Sequence, residues 1–270
     1  MMPSTARGPN FSAVDVSAFS RQHILDVAEG GLAAARIPGF FGRATLERMT
    51  AALHRLPTVD YYPQRVAMTR FGPALNDYRT PQGVLQADRY WPDAEAAERT
   101  WREAGMEPDP VLESLDMLGR AWGEKVTTAT IGGRPAFVGM MREINAGTLL
   151  HYDDIHLEYP DGLFDQEIVS ELTYNAYLVV PEDGGGTRLW QHRWEAADDA
   201  HRQRYGYDPR VVDGCRNLTI RPGLGDALLF NPNHYHRVLP NGPGGPEGQR
   251  RITVTFFLGL TPAGDLVAWS

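Results

Sequence analysis

The sequence predicts a mainly β protein with N-terminal helices, an α+β chain whose core is a jelly roll (a double-stranded β-helix of the cupin-like kind). Three observations predict it. Helical spacing of apolar residues dominates the first half and gives way near Pro135 to short β-rich runs separated by Gly, Pro, Asn and Asp. These runs are many and tightly turned, as in a closed or doubled antiparallel sheet. Helices and strands do not alternate, and no G-x-G-x-x-G or G-x-x-x-x-G-K stands between a strand and a helix, which argues against doubly wound and α/β-barrel architectures.

Residues 1–14 are polar, contain Gly and Pro, and read as a loose arm. Residues 17–35 read as a helix through Phe19, Ile24, Leu25, Val27 and Ala28. A short apolar turn, 37–41, leads into a second helix at 44–56, where Leu46, Met49, Leu53 and Leu56 share one face. Further helices are expected at 94–104 and at 109–127, the latter with Leu112, Leu115, Leu118 and Trp122. The stretch 64–90 mixes Arg70, Phe71, Tyr78, Arg79 and Tyr90 without periodicity and suits either a substrate lid or an irregular surface. Strands are expected at 136–144, 172–180, 217–220, 227–230 and 252–260, with breakers at 181–186 and 241–246. One domain over 1–270 is expected, helical over 1–134 and jelly roll over 135–270.

Bulk properties narrow the function. Hydrophobic residues are 42% and charged residues 22% of the 270, enough apolar material for a real core. A net charge of -8 argues against a nucleic-acid surface, which shows a basic patch. Cys215 is the single cysteine, so neither an intrachain disulfide nor a thiolate metal cluster can form. Residues 1–11 hold no continuous apolar run and nothing in the chain reaches membrane-spanning length. A cytoplasmic protein acting on a small molecule, without nucleic acid or membrane, is the expectation; oligomeric state is unreadable.

Chemistry begins with His151-Tyr152-Asp153. Two residues apart on an extended chain, an imidazole and a carboxylate point the same way and can reach one metal. Alone the triplet is weak, since ~0.6 such triplets arise by chance at this composition. Downstream, the turn-and-strand text 222–230 leads to His234-Tyr235-His236, and after a Gly/Pro loop comes Arg250-Arg251-Ile252-Thr253. A double-stranded β-helix would return these strands beside His151 and Asp153. His236 would complete a two-histidine, one-carboxylate face suited to Fe(II), with positions left for a 2-oxo acid and O₂. Arg251 and Thr253, on one strand face, would hold the far carboxylate of 2-oxoglutarate.

The ordered set His151-x-Asp153, Gly184-Gly185-Gly186-Thr187, Pro222-x-x-Gly225-Asp226, His236-x-Val238-x-Pro240 and Arg251-x-Thr253 resembles the Fe(II)/2-oxoglutarate-dependent oxygenases over roughly residues 136–260. More narrowly, Tyr205-Gly206-Tyr207, Val212 to Cys215, Asn233 to His236 and the ending Gly264 to Ser270 are similar to the enzymes that chlorinate hapalindole-type and welwitindolinone-type alkaloids. In those halogenases a small residue replaces the ligating carboxylate, whereas this chain keeps Asp153.

The resemblance therefore implies Fe(II), 2-oxoglutarate and O₂, and hydroxylation of an aliphatic C–H in a natural-product or amino-acid-derived substrate, with succinate and CO₂ released. Halogenation, desaturation or cyclisation on the same fold, or a non-catalytic metal-binding jelly roll, are the rival readings.

Several alternatives stay open at this level. His234 competes with His236, and Arg250 with Arg251; the Val-x-Pro and Arg-x-Thr patterns favour the second of each pair. Asn175 and Tyr177 share a strand face with Thr173 and either bind the co-substrate or pack with satisfied polar groups. His156 reads as surface or substrate-facing, Asp154 as turned away from His151, Gly184 to Gly186 as a tight turn, and Trp190 and Trp194 as core or pocket wall.

Overall fold

A computed structural model describes residues 11–60, 68–242 and 250–270. Its framework is a ten-stranded sheet. The strands that matter are β1 (Ala13–Asp15), β2 (Ala34–Ile37), β3 (Val59–Asp60), β4 (Met68–Phe71), β5 (Thr127–Thr128), β6 (Met140–Ile144), β7 (Ser170–Val179), β8 (Thr187–Arg193), β9 (Asn217–Ile220), β10 (Ala227–Phe230), β11 (His234–Val238), β12 (Ile252–Leu260) and β13 (Leu266–Trp269). The large sheet runs β1-β2-β10-β7-β12-β6-β4-β3, with β13 on β12 and β5 on β13; β9-β8-β11 form a second, three-stranded sheet.

Alternation along the two longest strands explains how one sheet serves two purposes. On β7, Leu172, Tyr174, Ala176 and Leu178 enter the large core together with Val254, Phe256 and Leu258 of β12. That face packs under the helices α1 (Arg21–Glu29), α2 (Arg43–Leu53), α3 (Ala87–Ala104) and α4 (Pro110–Trp122), whose Ile24, Val27, Leu46, Met49, Ala94 and Leu118 belong to the same cluster. Each fully buried Leu, Val or Phe there stabilises the fold by about 1.5–3 kcal/mol. The intervening residues, Thr173 and Asn175 on β7 and Thr253, Thr255 and Phe257 on β12, face a cavity. At its closed side Leu189 of β8 and Ile220 of β9 meet Tyr177, Leu228 and Phe230, joining the two sheets.

The strands expected at 217–220, 227–230 and 252–260 form as read, and 172–180 forms shifted by a residue or two. Other expectations need correction. The helix expected over 17–35 is α1 alone: Ser20 caps its start, and Gly30 ends it in the left-handed conformation at φ 83. The next element is β2, parallel to β1 and antiparallel to β10, so the sheet begins within the supposed arm and helix rather than after the helices. Helix α4 stops at Trp122 because Gly123 takes φ 97, and 127–128 is strand instead. Helix α3 begins at Ala87, ahead of its internal Pro92, where buried Tyr90 packs edge-on to Tyr78 and accepts the Phe137 N–H. Strand β6 starts only at Met140, after Gly139 breaks the run at φ 102. Part of the 64–90 and 241–246 readings, at 64–67 and 243–246, lies outside the described residues. Strand β8 was not among the expected strands. No helix among the described residues is long and apolar enough to cross a membrane.

Candidate active site

His151 and His236 are neighbours in an antiparallel bridge, each backbone N–H bonding the other's carbonyl, at 3.0 and 2.7 Å. The bridge sets their rings 4.3 Å apart. Two residues on, Asp153 N–H donates to Pro232 O and Asp153 O accepts from Asn233 Nδ2, which pins the chain just before the short helix α5 (Ile155–Glu158). Asp153 Oδ2 then lies 3.5 Å from His236 Nε2. One donor atom from each of His151, Asp153 and His236 lies within 4.8 Å of the others.

The protonation pattern suits a cation. A backbone carbonyl can only accept, and His151 Nδ1 is 2.8 Å from Leu149 O while His236 Nδ1 is 2.9 Å from His234 O. Both rings therefore carry their proton on Nδ1 and present an Nε2 lone pair. Burial, reinforced by His236, pushes His151 down to about 4. Burial also acts to raise the Asp153 carboxyl, but His236, 3.5 Å away, and the nearby His151 and Arg142 outweigh it and hold the group at about 2. Two imidazole nitrogens and one carboxylate oxygen thus converge, a donor set that fits a non-haem Fe(II) site.

Deeper in the same cavity, which has a volume of about 500 Å³, Arg251 is 2% exposed. Its Nε donates to Gly185 O at 3.0 Å, and its Nη2 meets Tyr177 Oη at 3.4 Å. The Gly-rich turn is what allows the first contact: Gly184 and Gly185 adopt φ 77 and 62, and a Cβ on Gly184 would lie 2.3 Å from Pro240 O. Tyr177 lies under the guanidinium, its ring centroid 5.1 Å away, and its hydroxyl is 3.2 Å from Thr187 Oγ1. Thr253 Oγ1 is 3.1 Å from Thr255 Oγ1, which donates to Asn175 Oδ1 at 2.6 Å.

The structure thus brings His151, Asp153, His236, Arg251, Thr253 and Asn175 to one cavity, while Tyr177 supports Arg251 from outside its lining. Arg250 points away and pairs with Glu143 at 2.7 Å. His234 is buried edge-on to Phe11, away from the cavity lining. Asp154 caps α5 through the His156 N–H and touches the cavity, outside the group of donors formed by His151, Asp153 and His236; His156 is exposed. Trp194 lines the cavity and Trp190 does not.

Sequence reasoning missed Arg142, Glu158 and Glu171, which also line the cavity. Burial pushes Glu158 up to about 8, with Asp153 adding to it, and lifts Glu171 well above the usual carboxylate range. The register signal for Arg142 was available only once β6 was paired: it lies directly across from Thr253 on β12.

No protein-family model matches the chain. It is 53% identical, over all of its length and all of the other's, to the L-gamma-glutamyl-L-propargylglycine hydroxylase of Streptantibioticus cattleyicolor. It is 29% identical to the leucinostatins biosynthesis cluster protein S of Purpureocillium lilacinum, over 75% of this chain and 84% of that protein. In fold it is similar to an N-substituted L-amino acid dioxygenase of Burkholderia ambifaria, with TM-score 0.63 and 13% identity over 93% of this chain and 92% of that one. That enzyme is also known in complex with alpha-ketoglutarate, where the TM-score is 0.62. By its full-length identity the chain belongs to the family of the L-gamma-glutamyl-L-propargylglycine hydroxylase and is a hydroxylase, with the fold of the N-substituted L-amino acid dioxygenase.

Proposed function

We propose that this enzyme hydroxylates an aliphatic C–H of a γ-glutamyl dipeptide such as L-γ-glutamyl-L-propargylglycine, with His151, Asp153 and His236 as the iron ligands and Arg251 as the anchor of 2-oxoglutarate. The substrate is that of the full-length relative. The observation that carries the residue assignment is the meeting of three metal donors and a buried guanidinium in one cavity.

When bound, Fe(II) with O₂ and 2-oxoglutarate supplies the oxidising chemistry: R–H, O₂ and 2-oxoglutarate become R–OH, succinate and CO₂. The chain's own residues do the rest. Nδ1–H bonds to Leu149 O and His234 O orient both imidazoles before a metal arrives. Asp153 contributes the anionic oxygen. Arg251, held by Gly185 O and Tyr177, offers its remaining N–H groups to the distal carboxylate of the co-substrate, with Thr253 beside it. Burial lowers the Arg251 pKa, but a guanidinium keeps its proton in proteins, so the anchor stays charged.

The resemblance to the alkaloid halogenases bears on the outcome through Asp153. A carboxylate at this position fills the place a halide would need, which favours hydroxyl transfer over chlorination. The test is anaerobic addition of Fe(II) and 2-oxoglutarate, read as a visible charge-transfer band, and then exposure to O₂ and L-γ-glutamyl-L-propargylglycine. Succinate should form one-for-one with a dipeptide heavier by one oxygen. A chlorinated product from the unaltered enzyme, or dipeptide-independent succinate alone, would overturn the reading.

A further inference from the structure

Charged side chains around the cavity divide into those with a task and those without. His151, Asp153, His236 and Arg251 serve the reaction itself. Asp154 caps α5, and Asp199 accepts from Trp194 Nε1 and Tyr207 Oη with Arg202 3.9 Å away. Arg79 and Arg204 stand exposed at the rim. Arg142 and Glu158, both mostly buried, form no ion pair with a described residue.

Arg142 projects from the middle of the large sheet, between Thr253 of β12 and Arg70 of β4. Arg70 is committed to Asp77 at 2.6 Å, and Arg142 Nε is buried without a hydrogen-bond partner. A guanidinium in that position is costly until an anion reaches it. It lines the cavity together with His151, Asp153 and Arg251. Glu158 sits at the end of α5, within the fields of Arg79, Asp153 and Arg142. Its neighbour Glu171 is 5% exposed and already accepts the Ile155 N–H at 2.8 Å.

We propose that Arg142 and Glu158 determine specificity for the γ-glutamyl dipeptide: Arg142 takes the C-terminal carboxylate, and Glu158, with Arg79 beside it, takes the α-ammonium and α-carboxylate of the glutamyl head. The proposal rests on the γ-glutamyl reading. Two guanidinium groups and one carboxylate then answer two carboxylates and one ammonium, charge for charge. Glu171 is the fourth group and stays out of the count: its carboxyl is already taken by the Ile155 N–H at 2.8 Å, whereas the Glu158 side chain makes no hydrogen bond among the described residues.

The experiment compares three compounds, L-γ-glutamyl-L-propargylglycine, its C-terminal amide and its N-acetyl derivative, by succinate formation and by anaerobic calorimetric binding. In the wild type each masked compound should lose about 10- to 100-fold in kcat/KM and in affinity, the size of a lost charge-assisted contact. Arg142→Met should bring the acid-to-amide ratio near one and leave the preference for the free amine. Glu158→Gln should do the reverse. If Arg142→Met does not fold, Arg142→Lys, which keeps the charge, should keep the acid-to-amide preference, and the wild-type panel decides without it. Equal use of all three compounds by the wild type, or variants that weaken every compound by one common factor, would overturn this assignment alone. Absence of dipeptide-dependent succinate would overturn the substrate reading and this assignment with it.

Discussion

At the wall that carries the candidate metal donors, His151 and His236 each commit Nδ1 to the carbonyl two residues back, and Arg251 is held from two sides by Gly185 O and Tyr177. At the wall made by β6 and α5, Arg142 has a buried Nε with no hydrogen-bond partner, and Glu158 forms no close ion pair among the described residues, with Arg79 and Arg142 acting on it from farther off. The first wall is finished by the protein, so it is set before any ligand arrives. The second is electrostatically incomplete, so a ligand finishes it. Chemistry needs the former, because a misaimed donor costs rate. Discrimination arises from the latter, because a ligand lacking the matching charge leaves a buried group unsatisfied.

The largest effect should come from breaking the finished wall at its centre. Asp153→Ala or His236→Ala should abolish the charge-transfer band and lower dipeptide-dependent succinate by at least ~10³-fold. A variant retaining a tenth of the wild-type rate would end the ligand assignment. Next, Arg251→Met should raise the KM for 2-oxoglutarate by about 30- to 100-fold, with Arg251→Lys recovering part of it. Titration of succinate formation against co-substrate reads this directly, and an unchanged KM would place the anchor elsewhere.

A third prediction concerns stability and compares His234 with His236, the proposed ligand two residues on. Burial lowers His234 from 6.5 to about 4. Its folded value lies below its unfolded one, so its contribution is fully present above pH 6.5 and is lost as pH falls towards 4. That loss should be about 3 kcal/mol in the metal-free protein. Urea unfolding at pH 7.5 and 4.5 in the presence of a chelator should show it. His234→Leu should flatten the slope by that amount, His151 contributing the same sign in both proteins. An unchanged slope would mean the imidazole is not buried in solution.

Asn175→Ala should cost about 1 kcal/mol of stability, since it removes one of the two partners of the buried Thr255 hydroxyl and leaves Thr253; thermal unfolding measures it. The smallest effect belongs to Arg250→Met, which removes a part-exposed pair with Glu143. It should change stability by less than about 1 kcal/mol and leave the KM for 2-oxoglutarate within about twofold. A large effect there would erase the contrast between the adjacent arginines.

Local grammar carried a good part of the fold and the site. Alternation in 172–180 and 252–260 marked strands with two different faces, and β7 and β12 have them: Tyr174 and Phe256 stack in the core at 4.7 Å while Thr173 and Thr255 face the cavity. The two-residue spacing of His151 and Asp153 survives because the chain there is extended as far as the Asp154 cap of α5. Gly30 and Gly123 stand in plain view as helix ends, yet the apolar residues beyond them continue a helical spacing that the backbone does not keep.

Other features had no local signal. Ala34 to Ile37 is as good a helix as a strand by composition; pairing with Ala227 to Phe230 decides it. His234 and His236 share a strand face by spacing, and only the bridge to His151 selects one of them for the site. Arg142 and Glu158 belong to no motif.

Sequence by itself determined the element types over much of the β half, the candidate donors and the anchor, because side-chain period and turn chemistry are properties of adjacent residues. Tertiary structure alone decided the convergence: strand order brought residue 151 beside residue 236, cross-strand register put Arg142 opposite Thr253, and burial set which charges lack a partner. Those are relations between distant parts of the chain, and they come into being only when the sheets close.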